Sequence, residues 1–313
     1  MSAVFGPVPS RRLGRSLGID PVPLKTCNFS CVYCQLGRTR RLVDERREHL
    51  PEKDILKQVA DALERVPAEA IDWITFVASG EPTLHAGLGS MIRRVKDLAP
   101  RPVAVITNGS LLHLPAVRRD LEAADAVLPS LDAGSEELFR RIARPHPACT
   151  WERLVQGLIA FRQAYHGRLW LEVMLIAGLN DSTAALSDIA SVAREIAPDG
   201  INISLPSRPP AEAWVECPDI DARARAETIL GSVAPVVPAA ATGAGTGVSV
   251  ADDEALLDII TRHPMRREEL CELFDGWTVA RVAATLTDLE ADGRARRVVR
   301  HGASFWTAAA ARF

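Results

Sequence analysis

The sequence predicts an α/β protein with parallel strands, followed by a second, smaller domain. Three observations carry this. From Glu52 to about Asp199, amphipathic helical stretches alternate with short apolar, β-rich runs, the pattern of repeated βα units. Polar or glycine-rich groups stand immediately after five successive strand candidates. A small, uncharged stretch, Pro235 to Val250, then separates this region from roughly sixty further residues.

The elements follow in order. A first strand lies around Ser16 to Asp20. In EKDILKQVADALERV, Ile55, Leu56, Val59, Leu63 and Val66 form one helical stripe, and Trp73-Ile74-Thr75-Phe76-Val77 follows as a strand. Further strands are expected at Val103 to Thr107, Ala126 to Leu131, Leu169 to Ile176 and Ile201 to Leu205. Helices are expected near Leu88 to Leu98, Pro115 to Ala124, Trp151 to Tyr165 and Thr183 to Ala197, giving six βα units. The domain boundaries read as 1–234 for the α/β part, 235–250 for a flexible linker and 251–313 for the second domain. That domain carries helical patterns at Glu254 to Thr261, Arg267 to Phe274 and Val279 to Ala291, then a hairpin from Arg294 to Thr307 turning at Arg300-His301-Gly302. Three helices and a hairpin are the order of a winged helix-turn-helix.

With 313 residues, 47% hydrophobic, 25% charged and a net charge of -3, composition excludes disordered, collagen-like and repeat classes. It gives no ground for a general polyanion binder. The amino terminus has no continuous apolar run ahead of its arginines, and the charge-free stretch Thr228 to Ala251 is broken by Pro235, Pro238 and glycines. Neither a secretory signal nor a membrane helix is expected, so the reading is cytoplasmic with no membrane partner.

Chemistry concentrates in Cys27-Asn28-Phe29-Ser30-Cys31-Val32-Tyr33-Cys34, a C-x3-C-x2-C pattern just past the first strand. Six cysteines with three inside eight residues point to a metal in a reducing compartment rather than to disulfides. Three thiolates can hold three irons of a [4Fe-4S] cluster and leave the fourth open to a substrate or cofactor. A structural zinc site or a group of buried cysteines is the alternative. Zinc normally takes a fourth Cys or His in a paired arrangement, and no second C-x2-C occurs. Cys149, Cys217 and Cys271 stand singly, so no second cluster is expected.

The strand-end groups are Ser79-Gly80-Glu81-Pro82, Thr107-Asn108-Gly109, Ser130-Leu131-Asp132, Ala177-Gly178-Leu179-Asn180-Asp181 and Pro206-Ser207-Arg208, all able to face one mouth. With Tyr33 just before the last cysteine, the sequence over roughly residues 10 to 210 resembles the radical S-adenosylmethionine (radical SAM) superfamily. The run GPVPSRRLGRSLGID-PVPLKTCNFSCVYCQLG is also similar to its wyosine-synthase-like branch. The resemblance implies a partial (β/α)6 TIM-like barrel and a [4Fe-4S] cluster on Cys27, Cys31 and Cys34. The open iron would chelate SAM, and an electron from a flavodoxin or ferredoxin class donor would cleave it to a 5′-deoxyadenosyl radical. It further implies SAM contacts at Tyr33, Gly80, Glu81, Asn108, Ser130, Asp132, Gly178 and Asn180, with Ser79 where the superfamily usually has glycine. Each has a plainer reading: Glu81 at a helix start, Asn-Gly and Ser/Asp as turn and cap chemistry, and Gly178 and Asn180 as a turn. Wyosine-type synthases carry cysteines upstream of the motif for a second cluster, and none precedes Cys27.

The first fifty residues hold nine Lys/Arg against four Asp/Glu, with Arg11, Arg12, Arg15, Arg38, Arg40 and Arg41 around the cysteines. This is a rim for a phosphate-bearing substrate, or a set of arginines paired with acids inside the fold. In the second domain the helix Val279 to Ala291, in the place of a recognition helix, offers only Arg281 against Asp288 and Glu290, which is poor for DNA. The expected function is a radical SAM enzyme on an unidentified substrate, with a tRNA base leading. The alternatives are modification of a peptide, protein or small metabolite recruited by the winged helix, and a non-enzymatic iron-sulfur transcriptional regulator. No catalytic residue is assigned from the sequence.

Overall fold

The computed structural model describes residues 2–10, 12–77, 79–238, 252–274 and 276–311. Seven strands form one sheet in chain order: β1 (Val4–Ser10), β2 (Gly14–Ile19), β3 (Trp73–Phe76), β4 (Val103–Thr107), β5 (Ala126–Pro129), β6 (Arg168–Met174) and β7 (Gly200–Ser204). β1 pairs antiparallel with β2, and every later pair is parallel. The sheet curls into a half-barrel, and β2 to β7 are the six parallel strands of the expected partial barrel.

The crossovers are α1 (Glu52–Arg65), α2 (Leu88–Leu98), α3 (Pro115–Leu121), α4 (Glu136–Ala143), α5 (Trp151–Ala164) and α6 (Thr183–Ile196), with α7 (Ile220–Gly231) after β7. Side chains alternate across a strand, so one face takes Leu17, Ile74, Phe76, Val105, Val127, Leu171 and Ile201 into the main core. There they meet the apolar stripes of the helices, including Ile55, Val59, Met91, Val95, Leu158 and Phe161. The other face carries Ala104, Ala126 and Leu128, which pack with Leu13, Trp73, Ile106 and Trp170. The same alternation places polar Ser16, Thr75, Glu172 and Asn202 on that face too.

Three elements were not anticipated. β1 contains Pro7 and Pro9, which read against a strand but are tolerated at a sheet edge. α4 is only 8 residues, starting at Ser135, whose hydroxyl accepts from Leu138 N, and stopping at Arg144, whose φ of 46° is left-handed. α7 buries only Ala222, Ala226 and Leu230 and leaves Ile220 79% exposed, so its periodic signal is weak. The expected strand Ala126 to Leu131 ends at Pro129, although Ser130 still bridges to Glu172.

The second domain comprises α8 (Asp253–Arg262), α9 (Arg267–Leu273), α10 (Val279–Ala291) and the hairpin β8 (Ala295–Arg300) and β9 (Ala303–Ala308). His301 and Gly302 both have positive φ, the geometry of a two-residue turn matched to strand twist. Its core of Leu256, Ile259, Leu270, Phe274, Val282 and Leu286 is continuous with Phe5 and Val8 of β1. A Cβ on Gly18 would lie 2.2 Å from the Phe5 ring, so glycine is what lets β1 press this close. Of the expected linker, Pro235 to Pro238 runs beside β7: Ile201 N–H donates to Pro235 O, and Val237 N–H donates to Ile201 O. The remainder, 239–250, lies outside the described residues. No helix among the described residues is long and apolar enough to cross a membrane.

Candidate active site

The cysteines lie on the long loop between β2 and α1. Buried Phe29 and Val32 anchor it, and backbone bonds tie it to the end of α4, Ser30 N to Ala143 O and Val32 N to Ile142 O. A turn closes Cys34 N on Cys31 O. All three thiols are half-buried. Burial, then the Glu81 carboxylate, pushes Cys27 up to about 12. Burial and the two neighbouring cysteines push Cys31 well above the usual thiol range. Both shifts disfavour the thiolates of Cys27 and Cys31, which a bound metal cation would favour. Donors aim at two of them: Phe29 N to Cys27 Sγ at 3.4 Å and Lys25 Nζ to Cys34 Sγ at 3.3 Å. Three neighbouring cysteines with hydrogen-bond donors on two of their sulfurs fit an iron-sulfur group.

The Ser79–Pro82 loop, after β3, lies directly on the cysteine loop. Glu81 N donates to Thr26 O at 2.9 Å, and a Cβ on Gly80 would fall 1.9 Å from that same oxygen. Only glycine permits the approach. Glu81 is 1% exposed. Its Oε1 accepts from Thr83 N, Thr83 Oγ1 and Thr107 Oγ1, and its Oε2 accepts from Asn108 N at 2.7 Å. Burial raises this carboxyl above its usual range against the pull of those bonds. Glu81 therefore both caps the turn Pro82–Leu84 and binds the β4 loop to the β3 loop.

Asn108 sits in a ring with two residues the sequence reading passed over. Its Nδ2 donates to Asn28 Oδ1 at 2.7 Å, its Oδ1 accepts from Ser110 N and Oγ, and Asn28 Nδ2 donates to Ser110 Oγ. Asn28 is wholly buried, a place for a polar residue only when all its partners are present. Asp132 accepts the Tyr33 hydroxyl on Oδ2 and Met174 N on Oδ1, and burial pushes it up to about 6 against those bonds. Tyr33, Asn108, Ser130 and Asp132 line one recess with Phe29, Phe139 and Trp151.

Two expected contacts have other surroundings. Asn180 is wholly buried, donating to Asp132 O and Met174 O and accepting from Ile176 N, so its amide staples two strand-end loops together. Gly178 is exposed at φ 69°, its N–H on Asp181 Oδ1, as a turn requires. Three arginines of the expected rim are paired with acids. Arg12 pairs with Glu172, Arg15 with Asp72, and Arg38 with buried Glu212, which Arg144 also holds. Arg40 and Arg41 are exposed, and Arg11 lies outside the described residues.

The sequence profile described as Radical SAM superfamily matches residues 22–188, more than half of the chain. The chain belongs to the radical SAM superfamily. The radical SAM profile spans the cysteine loop and four of the five strand-end groups, and the enzyme reading displaces that of a purely regulatory iron-sulfur protein. The DprA winged helix domain profile matches residues 238–299. The UPF0026 protein MJ1312 of Methanocaldococcus jannaschii is 36% identical over 279 residues, covering 88% of this chain and 87% of that relative. Among solved structures, TYW1 with a lysine-pyruvate adduct bound superposes with a TM-score of 0.50 at 18% identity, over 70% of this radical SAM chain and 74% of that one. Streptococcus suis SuiB bound to S-adenosylmethionine gives 0.53 at 15% identity, over 71% and 48%. Both likenesses are of fold.

Proposed function

We propose that this radical SAM protein holds a [4Fe-4S] cluster on Cys27, Cys31 and Cys34, binds SAM in the adjoining recess, and carries out radical chemistry on a nucleobase of RNA, a tRNA base first. The observation that carries the reading is the contact of the cysteine loop with the Ser79–Pro82 loop through Gly80, beside a recess lined by Tyr33, Asn108, Ser130 and Asp132. The cluster, reduced by a flavodoxin or ferredoxin class protein, would supply the electron that splits the sulfonium of SAM.

The chain's own residues do the rest. Glu81, its oxygens taken by Thr83, Thr107 and Asn108, fixes the loop backbone that would meet the methionine end. Tyr33 and Asp132 form one polar wall, and a carboxylate there suits a ribose hydroxyl. Phe29, Phe139 and Trp151 supply the apolar side that keeps water from a reactive intermediate.

Anaerobic reconstitution with reductant and SAM tests the reading. Methionine and 5′-deoxyadenosine are expected, and the triple Cys→Ala variant should lose both products and the brown chromophore. Iron loading without either product, where a control enzyme turns over, would defeat it. The RNA reading rests on the wyosine-like run and on exposed Arg40 and Arg41. RNA binding should steepen at low salt and weaken in Arg40→Gln/Arg41→Gln. Binding insensitive to salt would favour a peptide or small metabolite instead.

A further inference from the structure

The second domain reaches the cofactor loops at the end of α8. Arg262, 5% exposed, donates from Nε to Asp20 Oδ2 at 2.9 Å and lies over the Phe5 ring at 4.7 Å. Asp20, 2% exposed at the end of β2, also accepts from Ser79 N on Oδ1 at 3.0 Å and from Ser79 Oγ on Oδ2 at 2.6 Å. Ser79 O takes the Lys25 N–H at 2.6 Å, and Lys25 Nζ rests on Cys34 Sγ. The next residue, Gln35, returns to the second domain: its Nε2 donates to Arg262 O at 2.8 Å and to His263 Nδ1 at 3.1 Å. A carbonyl accepts only from the amide nitrogen, so this contact fixes the Gln35 orientation and makes His263 Nδ1 an acceptor. The result is a closed ring from Arg262 through Asp20, Ser79, Lys25, Cys34 and Gln35 back to Arg262. Ser79 stands where the superfamily pattern usually has glycine, and its hydroxyl is one of the links to Asp20.

We infer that Arg262 is a positioning residue for the SAM site, holding the Ser79–Pro82 loop in register through Asp20, so that the winged-helix domain is a working part of the cofactor site. This rests on the SAM reading above. The physical ground is that removing a buried guanidinium leaves Asp20 as an uncompensated buried charge, whose remaining partners in the ring are both on Ser79. The backbone that contacts Thr26 through Gly80 then loses its fixed position.

The test is equilibrium binding of SAM to the reconstituted full chain, read beside iron content, cluster absorbance and the SAM-induced change in the cluster's EPR signal. Arg262→Met should weaken SAM binding by about tenfold or more, as expected for a buried charge-assisted hydrogen bond. Iron content should stay at the wild-type level, and Arg262→Lys should recover part of the loss. Where Arg262→Met does not accumulate folded protein, Ser79→Ala, which removes a single hydroxyl, should still weaken SAM binding. SAM binding unchanged from wild type in a folded, iron-loaded Arg262→Met protein, or in Ser79→Ala, overturns the inference alone. A wild-type protein that takes up iron but no SAM overturns the functional reading and this inference with it.

Discussion

The Tyr33 hydroxyl donates a 2.6 Å hydrogen bond to Asp132 Oδ2, joining the residue before the last cysteine to the end of β5. The bond makes the cysteine loop and the sheet share one wall of the recess. It also stabilises the charged form of a carboxylate that burial otherwise disfavours.

Asp132 should accordingly govern a pH response. Its pKa of about 6 in the fold lies above the unfolded value of 3.8. The native state therefore binds the extra proton between those values, and stability falls as pH rises through that window. Asp132→Asn should flatten this part of the profile, gaining on wild type by up to about 3 kcal/mol between pH 4 and 7. Tyr33→Phe should move the fall to higher pH, because Asp132 loses a donor to its charged form. Denaturant unfolding across this pH range, with the protein free of SAM, checks both. Coincident profiles would contradict the assignment.

Asn28→Ala should cost about 1 to 3 kcal/mol, since it leaves Asn108 Nδ2 only a 3.8 Å contact with Cys27 Sγ and takes the amide donor from Ser110 Oγ. Because the same ring lies against Cys27, iron retained per chain should also fall. A melting curve and an iron assay on the reconstituted variant measure the two effects.

Gly80→Ala places a methyl 1.9 Å from a backbone oxygen that cannot swing aside. The two loops must part, at about 1 to 3 kcal/mol of stability. SAM binding should be lost more completely than the cluster, which equilibrium dialysis beside an iron assay resolves.

Lys25→Met removes an ammonium that lies 3.3 Å from Cys34 Sγ. Positive charge and hydrogen bonds at cluster sulfurs favour the reduced state. The midpoint potential should therefore shift to more negative values, with Lys25→Arg closer to wild type. An EPR-monitored redox titration reads this, and an unmoved potential would exclude the contact in the loaded protein.

The six parallel strands and most of their helices were legible because each is long enough for its period to show. Cys27, Cys31, Cys34, Tyr33 and Gly80 stand in short local patterns, which sequence displays directly. Asn28 and Ser110 were missed because an isolated Asn or Ser between other loop residues looks like ordinary turn chemistry. Asn180 was noticed for its loop, yet burial gave its amide entirely to Asp132, Met174 and Ile176. Arg12, Arg15 and Arg38 read as a basic rim because sequence counts charge without pairing, and their acids lie between 57 and 174 residues away.

By itself the sequence determined the period of the longer elements and the cysteine spacing, since these are set by neighbours along the chain. Tertiary structure alone decided that α8 of the second domain ends against the end of β2 and the cysteine loop, with Arg262 on Asp20 and Gln35 on Arg262, more than two hundred residues apart. Such pairs are chosen by burial: a charge or amide taken out of water must find its partner wherever the fold brings one, and no local pattern records which.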